Sequence, residues 1–539
     1  MPIAARARHL TASTLIALAV SVGPVFAQQA ETAIRVTAFQ QTIAETAATD
    51  RDLAAFYRQN DFAPIWTGEG EPYLARRQAL FQMLSKADDH GLPGASYDMP
   101  GLIQAMQSAQ TGADLGALDV RLSRLFLEFA TDLQTGVLTP SKVDSQIVRE
   151  VPLRDKIGYL RGITSDDPKG FVQSLPPQSA EYARLMREKL RLESLISGGG
   201  FGPAVRAGSI KPGDTGNAVI ALRNRLMTMG YLPRRVDATY DSEIEGAVLQ
   251  FQIDHGLPED GVAGGATLTE INTPAEDRLK SVIVAMERER WINRDLGDRH
   301  VLVNLADFHA RIIDDGKVYF KTRSVIGKNV SSQRTPEFSD VMEHMVINPT
   351  WNVPRSIAVN EYLPALKRNP YSNGHLNLIN SRGQVVNRGS VNFSQYNARN
   401  FPFDIKQPPS SRNALGLVKF MFPNKYNIYL HDTPAKSLFQ RDVRAFSHGC
   451  IRLQEPFDFA YALLSFQTDD PESFFKARLN TGRETRVDLV EPLPVHLIYR
   501  TAMSQAKGQM TYRRDVYGRD ATIWGALSRQ GVELRGVQG

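Results

Sequence analysis

The 539-residue chain predicts a multidomain α+β protein: an α-helical N-terminal scaffold, a three-helix module, and a mostly-β domain with a lid insertion. Two changes of pattern carry this. Apolar residues recur at helical spacing over residues 29–200, whereas from His300 they alternate with polar ones. Glycine and proline clusters punctuate the transitions. A chain of this length exceeds what one core supports, so several domains are expected.

At 42% apolar and 22% charged residues, the composition is that of an ordinary soluble globular protein. The net charge of +5 favours anionic surroundings such as a cell-wall polymer or a membrane surface. No basic-aromatic interleaving and no Lys/Arg run points to nucleic acid. Residues 1–27 read as an export signal, with Arg6 and Arg8 ahead of the apolar run 15–20 and Val25-Phe26-Ala27 as cleavage site. An uncleaved anchor is the alternative.

The scaffold, residues 28–200, shows helical faces at Leu80, Met83, Leu84 and at Leu122, Leu125, Phe126, Phe129, broken at 88–93 and 174–177. Asp88, Asp89 and His90 read as a solvated turn. Gly198-Gly199-Gly200 reads as a hinge. In the module at 205–273, one helix carries Val219, Leu222 and Leu226 and stops at Gly230. A second carries Ile244, Val248, Leu249 and Phe251 and stops at Gly256, and a third runs from near Ala266 through Ile271. Gly213, Gly216, Gly230-Tyr231, Phe251-Gln252, Gly256-Leu257, Asp260-Gly261, Gly264 and Thr267 resemble the punctuation of the peptidoglycan-binding domain family. Asp237-Ala238 departs from that family's Asp-Gly, and a spacer without ligand is the other reading.

The β domain spans 295–500. Val301, Val303 and Leu305 alternate, and Asp314-Asp315-Gly316 turns the chain into Lys317–Phe320 as a hairpin. Strands are expected at 322–326, 341–347, 425–430, 485–489 and 495–499, and Glu455-Pro456 opens a helix. Between 352 and 409 the period is lost. Trp351, Tyr362, Tyr371, Phe393, Tyr396 and Phe401 in and beside this stretch favour an ordered lid over a disordered loop. Residues 501–539 form a C-terminal tail without a clear pattern.

Ala445–Leu453 holds the only cysteine of the chain, Cys450, in Ser447-His448-Gly449-Cys450, and His431 lies 19 residues before it. A single thiol in an exported chain cannot pair internally as a disulfide. Its polar, Gly-flanked setting favours a nucleophile over a small buried hydrophobe. A free thiol titrates near about 8.5, and about 2 kcal/mol of stabilisation by His431 would bring it to 7. Gly449 permits close backbone approach, and amides around Cys450 are candidates for an oxyanion hole. His448 either orients substrate or bonds within the turn. Arg452 either grips a carboxylate in bidentate fashion or is a surface charge. His431, Asp432 and His448 offer metal-ligating atoms without a metal-site spacing. A papain-like order would put the cysteine before its histidine, which this chain does not.

His431 and Ser447-His448-Gly449-Cys450-Ile451-Arg452-Leu453 resemble the L,D-transpeptidase family with its YkuD-type catalytic domain. Residues 413–420, 429–434 and 348–354 are similar to the large periplasmic Gram-negative subgroup, which combines scaffold, peptidoglycan-binding module and lid. The resemblance implies a periplasmic enzyme of cell-wall biogenesis. Cys450 would attack a diaminopimelate carbonyl of a tetrapeptide stem, expel D-alanine, and pass the acyl group to a diaminopimelate amine as a 3→3 cross-link. It implies Cys450, His431, His448 and Gly449 in catalysis, and Arg452, Ser447, Asp432 and Tyr429 in substrate binding. It further implies acylation by carbapenems, peptidoglycan stem peptides and cell-wall synthesis proteins as partners, and no metal or organic cofactor. Relatives with this motif also act as L,D-carboxypeptidases or attach lipoproteins, and a non-catalytic wall-binding protein is the rival from another class.

Overall fold

The computed structural model describes residues 36–151, 155–505 and 510–536, so the expected export segment 1–27 lies outside them. Among the described residues no helix is long and apolar enough to cross a membrane.

The N-terminal part is helical as expected, built around the helix Gly112–Thr135, whose Leu122, Phe126 and Phe129 are fully buried. Asp119 is buried on the same helix and accepts from the amides of Ile65, Trp66 and Thr67. His90, expected in a solvated turn, is instead buried with Nδ1 3.0 Å from Tyr182 Oη. The three helices of the module are Asn217–Met229, Ser242–His255 and Gly265–Ile271, around Leu222, Leu226, Val248 and Phe251.

Between module and barrel runs the helix Ala275–Trp291, which the sequence did not single out. Its Glu287, Arg288, Glu289 and Arg290 are all buried. Burying such charges costs several kcal/mol each unless they are paired, and each is. Arg290 bonds Glu287 at 2.9 Å and Glu289 bonds Arg500 at 2.6 Å. Arg288 bonds Glu337 at 2.9 Å, and Arg519, from the C-terminal helix Arg519–Arg529, reaches the same carboxylate at 3.0 Å.

The β domain is a closed, mixed barrel. Its strands are β1 (Arg299–Asn304), β2 (His309–Asp314), β3 (Lys317–Gly327) and β4 (Phe338–Ile347), then, in the lid, β5 (Trp351–Asn352), β6 (Asn377–Ile379) and β7 (Asp404–Gln407). After the lid come β8 (Val418–Met421), β9 (Leu430–His431), β10 (Ala445–Ser447), β11 (Ile451–Leu453) and β12 (Thr485–Ile498). The order β3-β11-β9-β8-β4-β12-β1-β2 closes through β2 on β3, and β10 adds a further parallel pairing to β3. The β2–β3 hairpin turns at Asp315 and Gly316, both at positive φ, as a tight two-residue turn demands. The expected strands 485–489 and 495–499 are one strand whose register shifts between Asp488 and Leu493. The expected strand 425–430 shrinks to its last residue. Asn424 accepts from the amides of Tyr426 and Ile428, and Asn427 sits at positive φ, so this stretch is a turn. The helix opened by Pro456 runs to Leu464.

The lid is ordered around its own core of Leu363, Leu366, Leu378, Phe393, Phe401 and Ile405, with β5, β7 and β6 as a small sheet. Trp351 meets Tyr362 edge-on at 6.3 Å, while Tyr371 is exposed. The tail adds β13 (Ala502–Ser504) and β14 (Met510–Tyr512), and Tyr517 donates from Oη to the Gly327 carbonyl at 2.7 Å.

Glu337→Ala takes the shared carboxylate from two buried guanidiniums, leaving Arg288 with Asp520 at 3.5 Å and Arg519 with Asp144 at 3.3 Å, so the expected loss is about 3 kcal/mol of stability. The midpoint of urea unfolding, compared with Glu337→Gln as the milder change, measures it.

Candidate active site

Two short strands bring the residues together. β9 and β11 are parallel, with Leu430 beside Ile451 and His431 beside Arg452. Leu430, Ile451 and Leu453 enter the barrel core, so alternation sends Tyr429, His431, Cys450 and Arg452 to the other face. Carried back one residue, the register sets Cys450 beside Tyr429, whose carbonyl accepts from the Ile451 amide at 3.1 Å. The four side chains form a rectangular patch, with Cys450 and His431 on one diagonal. On the far side of β9, Lys419 of β8 stands opposite His431. Lys419, His431 and Arg452 therefore line up across three strands.

The turn before Cys450 is fixed from several sides. Gly449 has φ +119°, and a Cβ there would meet Ile428 Cδ1 at 3.0 Å, so the position admits glycine alone without strain. Its carbonyl accepts from Thr335 Oγ1 at 2.7 Å, and the Thr335 amide in turn donates to Tyr517 Oη at 3.2 Å. The tail thus buttresses the turn before Cys450. Buried Ser447 donates from Oγ to the Cys450 carbonyl at 2.5 Å and accepts from the Gly449 amide at 3.1 Å. With the Gly449 and Ile451 amides engaged, the Cys450 amide is the one of these three left free among the described residues to face an oxyanion.

Ser447 and Asp432 were expected against substrate, but both side chains serve the site's own framework. Asp432 is buried and accepts from the amides of Leu417 and Thr433 and from Lys436 Nζ at 2.7 Å. Tyr429 faces the thiol with its phenol and its amide. Arg452 Nε is buried without a hydrogen-bond partner among the described residues. His448 points away from Cys450 to the lid, its Nε2 2.6 Å from Glu361 Oε1. Glu361 lies on the π-helical turn Ala358–Tyr362.

Electrostatically the resting pair is neutral. Burial pushes the Cys450 thiol up to about 11, against the opposing pull of the Tyr429 hydrogen bonds and of Arg452 and Lys419. Burial, then Arg452, holds His431 down to about 3. The sequence-based expectation that the imidazole brings the thiol towards 7 is thus not met in this resting geometry, because desolvation outweighs the nearby charges. Sγ donates to the Asn427 carbonyl at 3.4 Å, and among the described residues no hydrogen bond joins it to His431. The His431 Nδ1 lies 2.5 Å from the Asp432 carbonyl. A carbonyl only accepts, so Nδ1 carries the proton and Nε2 keeps its lone pair.

Lys419, Asn427, Glu361 and Thr335 escaped the sequence reading. For Lys419 a signal existed: buried Val418 and Phe420 flank it in β8, so alternation alone turns it to the face of His431. Thr335 and Glu361 reach the site only through tertiary contacts. Among the described residues no cluster of His, Cys, Asp and Glu is arranged to hold a metal ion.

A thiol held near about 11 alkylates about tenfold faster per pH unit between about pH 7 and pH 10. Iodoacetamide modification of Cys450 followed by mass spectrometry is expected to show that slope without a plateau. An inflection near neutrality would mean a preformed thiolate.

Residues 298–476 match the YkuD family, described as the L,D-transpeptidase catalytic domain. Residues 51–188 match a scaffold domain, and 215–271 a "Putative peptidoglycan binding domain". A protein of Haemophilus influenzae described as "Putative L,D-transpeptidase" is 31% identical over 244 residues, covering 44% of this chain and 48% of the relative. The chain thus spans about half the length of that curated relative. The crystal structure of an L,D-transpeptidase from Xylanimonas cellulosilytica is 15% identical at TM-score 0.18, covering 55% of this chain and 99% of that one. One from Stackebrandtia nassauensis is 14% identical at TM-score 0.22, covering 55% and 97%. TM-scores this low carry no argument about the fold. The sequence matches do: this chain carries an L,D-transpeptidase catalytic domain behind a scaffold domain and a peptidoglycan-binding domain.

Proposed function

We propose that the protein is a peptidoglycan L,D-transpeptidase with Cys450 as nucleophile, acting outside the cytoplasm in cell-wall remodelling. The observation that carries this is the patch on β9 and β11: a thiol, an imidazole whose Nδ1 is held on the Asp432 carbonyl, and a guanidinium whose buried Nε has no partner among the described residues share one face. Acyl transfer needs a nucleophile, a base and a group that fixes the acyl donor.

In this reading the Arg452 guanidinium, with Lys419 behind it, holds a carboxylate of the diaminopimelate residue in a tetrapeptide stem. Rotation about one torsion of Cys450 carries Sγ from the Asn427 carbonyl towards His431, whose Nε2 takes the thiol proton. The sulfur attacks the carbonyl at the L-centre, and the oxyanion meets the Cys450 amide. Collapse breaks the amide bond. The proton on His431 passes to the departing nitrogen, and D-alanine leaves. The side-chain amine of a second stem then attacks the thioester, loses a proton to His431, and closes a 3→3 link while the thiol is restored. Since thiol and imidazole rest neutral, proton transfer is coupled to attack rather than completed before it. The lid touches the turn through Glu361 and His448, and its closing over this face would limit competition by water.

The test is incubation with purified disaccharide-tetrapeptide, beside Cys450→Ala, and mass spectrometry of the products. The expected product is a dimer one D-alanine lighter than two monomers, absent in the variant. Tripeptide alone would make water the acceptor. No Cys450-dependent product would reduce the chain to a wall-binding protein.

A further inference from the structure

A cavity of about 950 Å³ lies where the three-helix module meets the barrel, within the size range of small-ligand sites. Pro258 and Glu259 of the module wall one side, Phe308 and Arg311 of the barrel the other, and Arg513 after β14 contributes as well. None of Tyr429, His431, Cys450 and Arg452 lines it.

Its lining is cationic, with eight Lys and Arg against four Asp and Glu, which decides the sign of a ligand. Arg311 is matched by Asp307 at 2.5 Å, and Arg500 by Glu289 at 2.6 Å. Lys321, Arg323, Arg441 and Arg514 have neither a side-chain hydrogen bond nor an ion pair among the described residues. The cations also crowd one another. Burial and then Arg311 hold Lys321 below its usual value, and burial and then Arg323 push Arg444 down to about 10. An anion seated among them relieves that repulsion.

A second cavity of about 400 Å³ shares His309, Lys321 and Arg323 with the first and runs on to Gln454 and Glu455. The Gln454 carbonyl accepts from Lys436 Nζ at 3.2 Å, and the same ammonium bonds Asp432, the chain neighbour of His431. Four residues of extended chain, about 13 Å, separate Gln454 from Cys450. The cationic surface thus leads from the module to the shoulder of the catalytic patch.

We propose that this interdomain cavity binds the carboxylate-bearing stem peptide of a peptidoglycan strand held by the three-helix module, as a site separate from the catalytic patch. The proposal rests on the peptidoglycan reading above. A stem peptide offers several carboxylates on a flexible backbone, which suits unpaired cations spread along a groove better than a neutral sugar does.

Lys321 and Arg323 are exposed on β3, so K321E/R323E changes charge without opening the core. The experiment is co-sedimentation of the full chain, Cys450 alkylated throughout, with insoluble peptidoglycan either intact or stripped of its stem peptides by an amidase. The wild-type chain is expected to bind the intact polymer more tightly. The double variant is expected to lose about tenfold or more on that polymer and nothing on the stripped glycan, with K321M/R323M between the two. Equal binding of both polymers by the wild-type chain, or unchanged affinity in both variants, overturns the proposal. Product formation on soluble disaccharide-tetrapeptide is read separately. Its absence would remove the transpeptidase reading while leaving a stem-dependent binding loss intact.

Discussion

The candidate site depends on the parallel pairing of β9 with β11. Parallel neighbours cannot be joined by a tight turn and need a crossover of a dozen or more residues, which is what the interval between His431 and Cys450 supplies. The crossover is held by the contact of Lys436 with Asp432 at its start and by β10 on β3 near its end. A slip of one residue would send the cysteine into the barrel core and Ile451 to the surface. The buried Leu430, Ile451 and Leu453 forbid that slip, so the hydrophobic core sets the geometry of a polar site.

The legible part of the sequence was the part governed by local rules. Alternation marked the barrel strands, glycine stops at Gly230 and Gly256 marked the module's helices, and the setting of Cys450 marked the thiol that the strand register places on one face with His431. The helix Ala275–Trp291 was opaque for a physical reason. Glu-Arg-Glu-Arg at 287–290 reads as a solvated face, and only partners far along the chain, Glu337 and Arg500 among them, make it a buried hub. The strand expected at 425–430 failed on Asn424, whose side chain captures the backbone groups a ladder would have used.

The same distinction explains why the tail carried no readable pattern. Its residues act one at a time on distant partners: Arg519 on Glu337, Tyr517 on Gly327 and Thr335. Through Thr335 that chain of contacts reaches the Gly449 carbonyl, so the C-terminal segment supports the turn before Cys450. Helical body, barrel and tail therefore converge on one loop, and a rigid turn is what a site built from short strands requires.

The protonated state of Cys450 bears on durability. Peroxide and disulfide exchange attack the thiolate, not the thiol. Burial holds the thiol above its ordinary value, so the thiolate is the minor form at neutral pH. Under the proposed extracytoplasmic function no cytosolic reductant is at hand to repair sulfenic acid, and with a single cysteine this chain has no internal partner to resolve it. If Cys450 is the nucleophile proposed above, keeping the sulfur protonated until an acyl donor arrives protects it from oxidants between turnovers.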